Sequence, residues 1–237
     1  MPARTGPLLL VLLLPACGDP GGPVAFAGAL AGRGDIGRVE LLLQGSRNRL
    51  AESDGGPTGP SDPVAVAGRL LRQGGAAVPL AGSYDAPTET MYVSGGGYVL
   101  GGYLEYDLHP EELVFEGYYR GPEGGGLLTL HEGGPAEVTV LCGSYAGTDA
   151  GRWALVLGRR ITTVLAVPSE RTRRSRFLIG RVSGDEASYE EEGEYGATGT
   201  ATATGLLAAD RSAAQGAWAE AEGGGEWEAS TAGCVTL

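Results

Sequence analysis

The sequence predicts an all-β fold made of two tandem antiparallel meander units of about eight strands each, with each unit closing into a small barrel. Three observations support this prediction. Glycine is abundant, with 43 residues against 14 prolines, and a glycine inside a helix costs about 1 kcal/mol relative to alanine. Short apolar stretches recur about every 8–12 residues between glycine turns, which is the spacing of an all-β chain. The second half of the chain also repeats features of the first.

The first unit, residues 24–134, contains strand-like segments bounded by turn residues. They are Val24–Leu30, Arg38–Gln44, Val64–Arg72, Ala77–Tyr84, Thr90–Val93, Tyr98–Asp107, Leu113–Tyr119 and Gly126–His131. The second unit, residues 135–237, contains Val138–Tyr145, Arg152–Gly158, Thr162–Val167, Arg176–Ser183, Ser188–Tyr195, Thr198–Ala208, Gln215–Glu220 and Gly225–Ser230. Segment 45–63 is predicted to be a long loop inside the first unit. About eight strands close a small barrel that its own side chains fill; one continuous sheet or a sandwich is the alternative.

The repeat rests on glycines that recur with similar neighbours. Gly28, Gly32, Gly37 and Arg38 precede an apolar run, as do Gly143, Gly147, Gly151 and Arg152. The ends of the units match as well, since Gly102, Gly117 and Gly126 correspond to Gly205, Gly216 and Gly225. Self-similarity of this kind indicates a duplicated unit.

The first 17 residues have the layout of an export signal. Arg4 precedes the apolar run 8–14, which is too short to cross a bilayer because a spanning helix needs about 20 apolar residues. The run ends in Leu14-Pro15-Ala16-Cys17. This segment resembles the lipobox of bacterial lipoproteins, from which Pro15 is a mild departure. The resemblance implies that residues 1–17 are a signal peptide, that Cys17 is acylated and becomes the first mature residue, and that residues 18–23 are a linker.

In that family, an aspartate directly after the cysteine is associated with retention in the inner membrane, whereas here Gly18 follows Cys17. We therefore expect an exported lipoprotein whose partner is the membrane through its N-terminal lipid, in the outer membrane if the cell has two. Disulfides persist outside the cytoplasm, and Cys142 and Cys234 fall on the predicted first and last strands of the second unit. We predict a disulfide that staples this unit, with two free thiols as the alternative.

The Gly-x-Tyr and Gly-x-Trp endings, with cysteines near the first and last strands, resemble the glycine-rich β-domains of secreted bacterial lipoproteins of unassigned function. The size and strand pattern are also similar to avidin and lipocalins, which are small ligand-binding barrels. As in lipocalins, a Gly-x-Trp segment, here Gly151-Arg152-Trp153, lies near the start of the second unit. The rest of the lipocalin pattern is not evident, and a fold does not by itself give a function.

The charged and catalytic residue types limit the chemistry. A net charge of −12 disfavours nucleic acid as a partner. His109 and His131 lack the spacing of a zinc site, and no GxSxG motif supports a Ser-His-Asp triad with either of them. We therefore expect no catalytic residues, no metal and no cofactor. The sequence also contains a basic cluster, Arg171, Arg173, Arg174 and Arg176, and an acidic cluster, Glu190, Glu191, Glu192 and Glu194. We expect the two clusters to face each other across a hairpin and to form ion pairs. A binding site for an anion or for calcium is the alternative.

Tyrosines supply the candidate binding surface, which comprises Tyr92, Tyr98, Tyr103, Tyr106, Tyr118 and Tyr119. A tyrosine on a β-surface can bind a sugar or a protein partner, whereas inside a barrel it fills the core. The leading hypothesis is a non-enzymatic, lipid-anchored envelope protein that binds a small ligand or an envelope protein. A structural component that works only by assembly is the first alternative, and a hydrolase is the second.

Overall fold

Antiparallel strands make up nearly all of the described chain, and they close into two barrels of eight strands each. The computed structural model describes residues 22–45, 62–72, 74–105, 112–169, 175–183, 186–191, 202–221 and 223–234. In each barrel, strands that follow one another in sequence are paired, and the last strand pairs with the first. The predicted all-β fold with two tandem meander units is therefore confirmed.

The first barrel comprises β1 (Val24–Gly32), β2 (Ile36–Leu43), β3 (Val64–Arg72), β4 (Val78–Asp85), β5 (Thr90–Gly95), β6 (Tyr98–Glu105), β7 (Val114–Gly121) and β8 (Gly124–Glu132). The second comprises β9 (Thr139–Gly147), β10 (Gly151–Leu157), β11 (Thr162–Pro168), β12 (Arg176–Ser183), β13 (Glu186–Glu191), β14 (Thr202–Leu207), β15 (Ala213–Glu220) and β16 (Gly223–Ser230). A one-turn helix, α1 (Thr231–Cys234), follows β16. Every predicted strand overlaps an observed one, but Cys234 lies in α1 and not on the last strand.

The register places the repeated glycines at equivalent positions in the two barrels. Two glycine pairs recur, as Gly102–Gly117 and Gly32–Gly126 in the first barrel and as Gly205–Gly216 and Gly147–Gly225 in the second. A Cβ on Gly117 would overlap the carbonyl oxygen of Gly101 on the neighbouring strand. The close approach of these strands inside the barrel therefore requires glycine.

The interior of the first barrel is filled by its own side chains. Its largest fully buried residues are Phe26, Leu30, Leu43, Leu70, Tyr84, Met91, Tyr98, Leu100, Phe115 and Leu128. The Phe115 ring meets Phe26 and Tyr84 edge-on, with ring centroids 4.9 and 5.6 Å away. An eight-stranded barrel is just wide enough for side chains to fill, so this packing favours a solid core over a ligand-binding lumen.

The second barrel combines tryptophans with small residues. The centroids of the Trp153 and Trp227 rings are 4.3 Å apart, and Tyr145 contacts Trp218 at 5.8 Å. The same core cluster contains Ala203, Ala214 and Ala229. Bulky rings on β9, β10, β15 and β16 thus occupy space that the small residues leave open.

An apolar interface joins the two barrels side by side. The outward face of β1 carries Ala27, Ala29 and Ala31, which are at most 1% exposed. They pack with outward apolar residues of β9, β10 and β11, among them Val140, Ala154, Val156, Leu165 and Val167. Strands covered on both faces have mostly apolar sequences, as β1, β10 and β11 do.

Candidate functional site

An exposed apolar surface lies on the first barrel. Among the described residues, five large apolar or aromatic side chains are exposed, and four of them lie on the outward face of β5, β6 and β7. These four are Tyr92 (65% exposed), Val99 (43%), Tyr103 (37%) and Tyr118 (59%). Together with Gly101 at their centre, they form what we call the tyrosine face.

The strand register arranges the tyrosine face around Gly101. Gly101 pairs with Tyr92 on one side and with Tyr118 on the other. Val99 and Tyr103 flank it along β6 on the same side of the sheet, because alternate residues of a strand share a face. A Cβ at Gly101 would lie 3.3 Å from Tyr92 Cζ, so the Tyr92 ring lies over the glycine. The result is a flat glycine floor bordered by three phenol rings and a valine.

Two tyrosines predicted for the binding surface point into the barrel. Tyr98 and Tyr119 are only 2% and 4% exposed, so the prediction is wrong for both. They share the strand face of the core residues Leu100 and Phe115, and the two-residue period of a strand decides the direction. Tyr106 lies outside the described residues.

The two buried tyrosines belong to a polar cluster at one end of the first barrel. The Tyr98 hydroxyl donates to Asp35 Oδ2 and accepts from Arg72 Nη1, both at 2.6 Å. The Tyr119 hydroxyl donates to the Asp35 carbonyl oxygen at 3.2 Å. Burial, and then the nearby Asp35, raise the pKa of Tyr98 and of Tyr119, so both phenols remain protonated donors. These hydrogen bonds connect Asp35, directly before β2, to β3, β6 and β7 near one end of the first barrel, which indicates a structural role for the cluster.

A second buried polar network connects the barrels. Glu112, which precedes β7, His131 on β8 and Thr163 on β11 are all 0% exposed. His131 Nδ1 lies 3.0 Å from Glu112 Oε1, and His131 Nε2 lies 2.9 Å from Thr163 Oγ1. Thr163 Oγ1 is also 3.2 Å from Thr129 Oγ1. An acid, an imidazole and a hydroxyl are thus connected in the order found in a nucleophilic triad.

Glu112 also binds the turn between β10 and β11. Its carboxylate accepts hydrogen bonds from three consecutive backbone N–H groups, those of Arg159 (3.0 Å), Arg160 (2.6 Å) and Ile161 (3.1 Å). Burial alone would raise the pKa of Glu112, but the hydrogen bonds from His131 and from the turn outweigh it and hold this pKa below its ordinary value. Glu112 is therefore a buried carboxylate of the first barrel that holds a turn of the second.

The network lacks the access that catalysis needs. The hydroxyl in the nucleophile position, Thr163 Oγ1, is buried between the barrels. The three N–H groups that resemble an oxyanion hole already bind Glu112. A substrate carbonyl has no place beside Thr163 in this arrangement, and the network is suited to joining the barrels. His109 lies outside the described residues.

One member of the predicted basic cluster, Arg176, forms an ion pair with a residue on a strand outside the hairpin. Strands β12 and β13 do pair, but Arg176 lies beyond their last pair, Leu178 with Glu191. The Arg176 guanidinium forms an ion pair with Glu220 on β15, a partner that was not predicted. Glu190 and Glu191 lie on β13, and the other members lie outside the described residues: Arg171, Arg173, Arg174, Glu192 and Glu194.

The predicted disulfide joins Cys142 on β9 to Cys234 in α1, with their Cα atoms 4.9 Å apart. Because β16 pairs with β9, this bond fastens the chain at the closure of the second barrel. An open groove of about 610 Å³ lies beside it, lined by residues that include Leu206, Gln215 and Glu228.

No group of three or more histidine, cysteine, aspartate or glutamate side chains in the described ranges is placed to hold a metal ion. None of the helices in these ranges has the length and apolar character needed to cross a membrane.

Sequence reasoning did not single out Glu112, Thr163, Asp35 or Arg72. Each is an ordinary polar residue near a turn or on a strand, with no motif around it. The one available signal was Thr162-Thr163 at the start of an otherwise apolar strand, since a polar residue on a strand buried on both faces requires a partner.

The fold and these sites define the class of protein as a tandem pair of eight-stranded antiparallel barrels. A buried polar network connects the two barrels, and the tyrosine face is exposed on the first. Comparisons with protein-family models, curated proteins and solved structures find no match to this chain. The function must therefore be argued from the sites themselves.

Proposed function

We propose that this protein is a lipid-anchored, non-enzymatic component of the cell envelope that binds a protein partner through the tyrosine face. The observation that carries the proposal is the concentration of large exposed apolar side chains, because four of the five among the described residues border Gly101. Large contiguous apolar patches on soluble proteins mark interaction sites, and tyrosine is enriched where proteins meet.

The lipid anchor is supported by the lipobox-like segment that ends at Cys17. The chain between Cys17 and Val24, where β1 begins, extends at most about 25 Å. An acyl group on Cys17 would therefore hold the first barrel beside the bilayer, in the outer membrane if the cell has two. The Cys142–Cys234 disulfide agrees with an oxidising compartment outside the cytoplasm.

The packed barrel interiors favour binding of a partner at the outer surface over binding of a ligand inside a barrel. The first barrel is packed with leucine, phenylalanine and tyrosine side chains, so a ligand cannot enter it without displacing core residues. The acid–imidazole–hydroxyl network, which would be the feature of a hydrolase, is buried between the barrels. Both features leave the outer surface as the place where this chain meets other molecules.

Binding of a small ligand in the groove of the second barrel is the second candidate function. Leu206, the fifth exposed apolar side chain (61%), borders this groove. If the groove binds apolar ligands, Leu206→Ser should reduce the fluorescence of 8-anilinonaphthalene-1-sulfonate added to the folded protein, whereas Tyr92→Ser should not.

The test of partner binding is the double variant Tyr92→Ser with Tyr118→Ser. Both side chains are more than half exposed, so their loss should leave the barrel intact. After mild detergent extraction, the wild-type chain should migrate on a native gel as a complex larger than one chain, and the variant as a single chain. Leu206→Ser is the matched control and should retain the complex. A wild-type protein that runs as a single chain would refute partner binding.

The anchor has a separate test. The intact mass of the membrane-extracted protein should correspond to a chain that begins at Cys17 and carries acyl groups. Cys17→Ser should abolish both the added mass and the membrane association. An unlipidated wild-type mass would remove the anchor from the proposal.

A further inference from the structure

The tyrosine face has opposite charges at its two ends. Along β7 the outward residues are Glu116, Tyr118 and Arg120, because Phe115 and Tyr119 between them face the core. Glu116 is half-buried and Arg120 is exposed. The acid and the base are thus placed symmetrically on either side of the central tyrosine.

On the neighbouring strands β5 and β6, outward residues pair in the same three rows as Glu116, Tyr118 and Arg120 of β7. On β6, Tyr103 pairs with Glu116 and Val99 pairs with Arg120, on opposite sides of Gly101. On β5, Thr90 and Ser94 flank Tyr92 in the same two rows. The face therefore has a central row of Tyr92, Gly101 and Tyr118, an acidic row on one side and a basic row on the other.

Such a face is complementary to itself. A second copy, turned by half a turn about an axis that runs along the central row, would place its basic row over the acidic row of the first copy. Glu116 of each copy would then meet Arg120 of the other, and Tyr103 would meet the smaller Val99. In a two-fold symmetric dimer, both copies contribute the same surface patch to the interface. Pairs of opposite charges across that interface then fix how the two copies are aligned.

The net charge of the chain makes this local pattern significant. At −12, two copies repel each other over most orientations. Within these rows of the face, one acid is balanced by one base, so the face is a place where two copies can meet without adding like charges.

From this charge complementarity we infer that the protein partner bound by the tyrosine face is a second copy of this chain, in a two-fold symmetric homodimer. The inference rests on the proposed function, since it names the partner of the same surface. Residues Glu116 and Arg120 set the orientation, and the rings of Tyr92 and Tyr118 supply the buried area.

Charge reversal tests the symmetry directly. Two differently tagged full-length copies are expressed in the same cells, and their co-purification from membranes is measured. With Glu116→Arg in both copies, or Arg120→Glu in both, like charges face each other, and co-purification should fall about ten-fold. When one copy carries Glu116→Arg and the other Arg120→Glu, opposite charges face again, and co-purification should return to within about two-fold of the wild-type level.

Glu226→Arg is the control for charge reversal, because Glu226 is exposed on the outward face of β16 in the second barrel. It should leave co-purification unchanged. A mixed pair of variants that stays as weak as each variant alone would overturn the homodimer, and the rescue by mixing excludes misfolding as the cause of the single losses.

Photo-crosslinking separates failure of this inference from failure of the proposed function. A benzophenone side chain at Ser94, which is exposed at the rim of the face, should give a product of twice the chain mass in intact cells. A product of another mass would overturn the homodimer and leave the proposed function in place. The absence of any product would overturn both.

Discussion

Glu112 keeps a carboxylate where water does not reach, and its surroundings explain why this is tolerated. Removing a charge from water costs several kcal/mol unless hydrogen bonds replace the lost hydration. Here one imidazole and three backbone N–H groups surround the two oxygens. The same contacts join a loop of the first barrel to a turn of the second, so one residue couples the two cores.

We predict that Glu112→Gln will lower the free energy of unfolding by about 3–5 kcal/mol, the cost of breaking a buried ionic contact. The amide nitrogen of glutamine would point a donor at N–H groups that are themselves donors. Urea unfolding, followed by tryptophan fluorescence and by circular dichroism, measures the loss. Glu226→Gln, at an exposed site, should change the stability by less than about 0.5 kcal/mol. Equal effects of the two substitutions would contradict this account of Glu112.

The pH dependence follows from the lowered pKa of Glu112. A carboxyl whose pKa is lower in the folded state stabilises the fold above its unfolded pKa, and this contribution is lost as the pH falls through the folded pKa. The wild type should therefore lose stability below the ordinary glutamate pKa of about 4.3. Glu112→Gln should show a shallower loss over the same range, measured by urea titrations between neutral and acidic pH. Parallel curves would show that Glu112 does not titrate as argued.

At the scale of the strand, cross-strand glycine pairs are the feature that both barrels share. Gly102 with Gly117, and Gly205 with Gly216, lie at equivalent positions. A side chain at any of them would point inward and meet the backbone of the adjacent strand. The repeat visible in the sequence therefore records a constraint on backbone approach, not a ligand motif.

Gly117→Ala should lower the free energy of unfolding by at least about 2 kcal/mol, because its Cβ would overlap the carbonyl oxygen of Gly101 and force the strands apart. Gly216→Ala in the second barrel should behave alike, since its Cβ would overlap the carbonyl oxygen of Thr204. Gly75→Ala is the control, because the nearest atom to its Cβ would be the flexible Arg72 side chain at 3.4 Å. Thermal unfolding of the three variants decides the matter; a neutral Gly117→Ala would contradict the argument.

Three features hold the whole molecule together. Each barrel has its own apolar core, the outward alanines Ala27, Ala29 and Ala31 of β1 pack between the barrels, and one disulfide links Cys142 to Cys234. The disulfide closes a sequence separation of 92 residues and lies at the closure of the second barrel. All three tryptophans of the chain also belong to that barrel, so tryptophan fluorescence reports on the second barrel.

Replacing both Cys142 and Cys234 by serine should cost about 4 kcal/mol in a chain-entropy description of a loop of this length. The midpoint of urea unfolding followed by tryptophan fluorescence should fall accordingly. Reduction of the wild type with dithiothreitol should reproduce the shift, and the same reductant should leave the double variant unchanged. A wild type insensitive to reduction would show that the bond adds nothing to the stability of the second barrel.

The sequence by itself determined the order of the strands, the duplication and the pairing of Cys142 with Cys234, because strand period, glycine turns and cysteine count are local properties. Tyr98 and Tyr119 were assigned to the wrong side of the sheet, since one residue of register reverses a side chain. Only the tertiary structure decided that β1 meets β10 and β11, that Glu112 reaches the turn after β10, and that three tyrosines gather around Gly101. These contacts join residues far apart in the chain, and they depend on the closure of each barrel and on the packing of one barrel against the other.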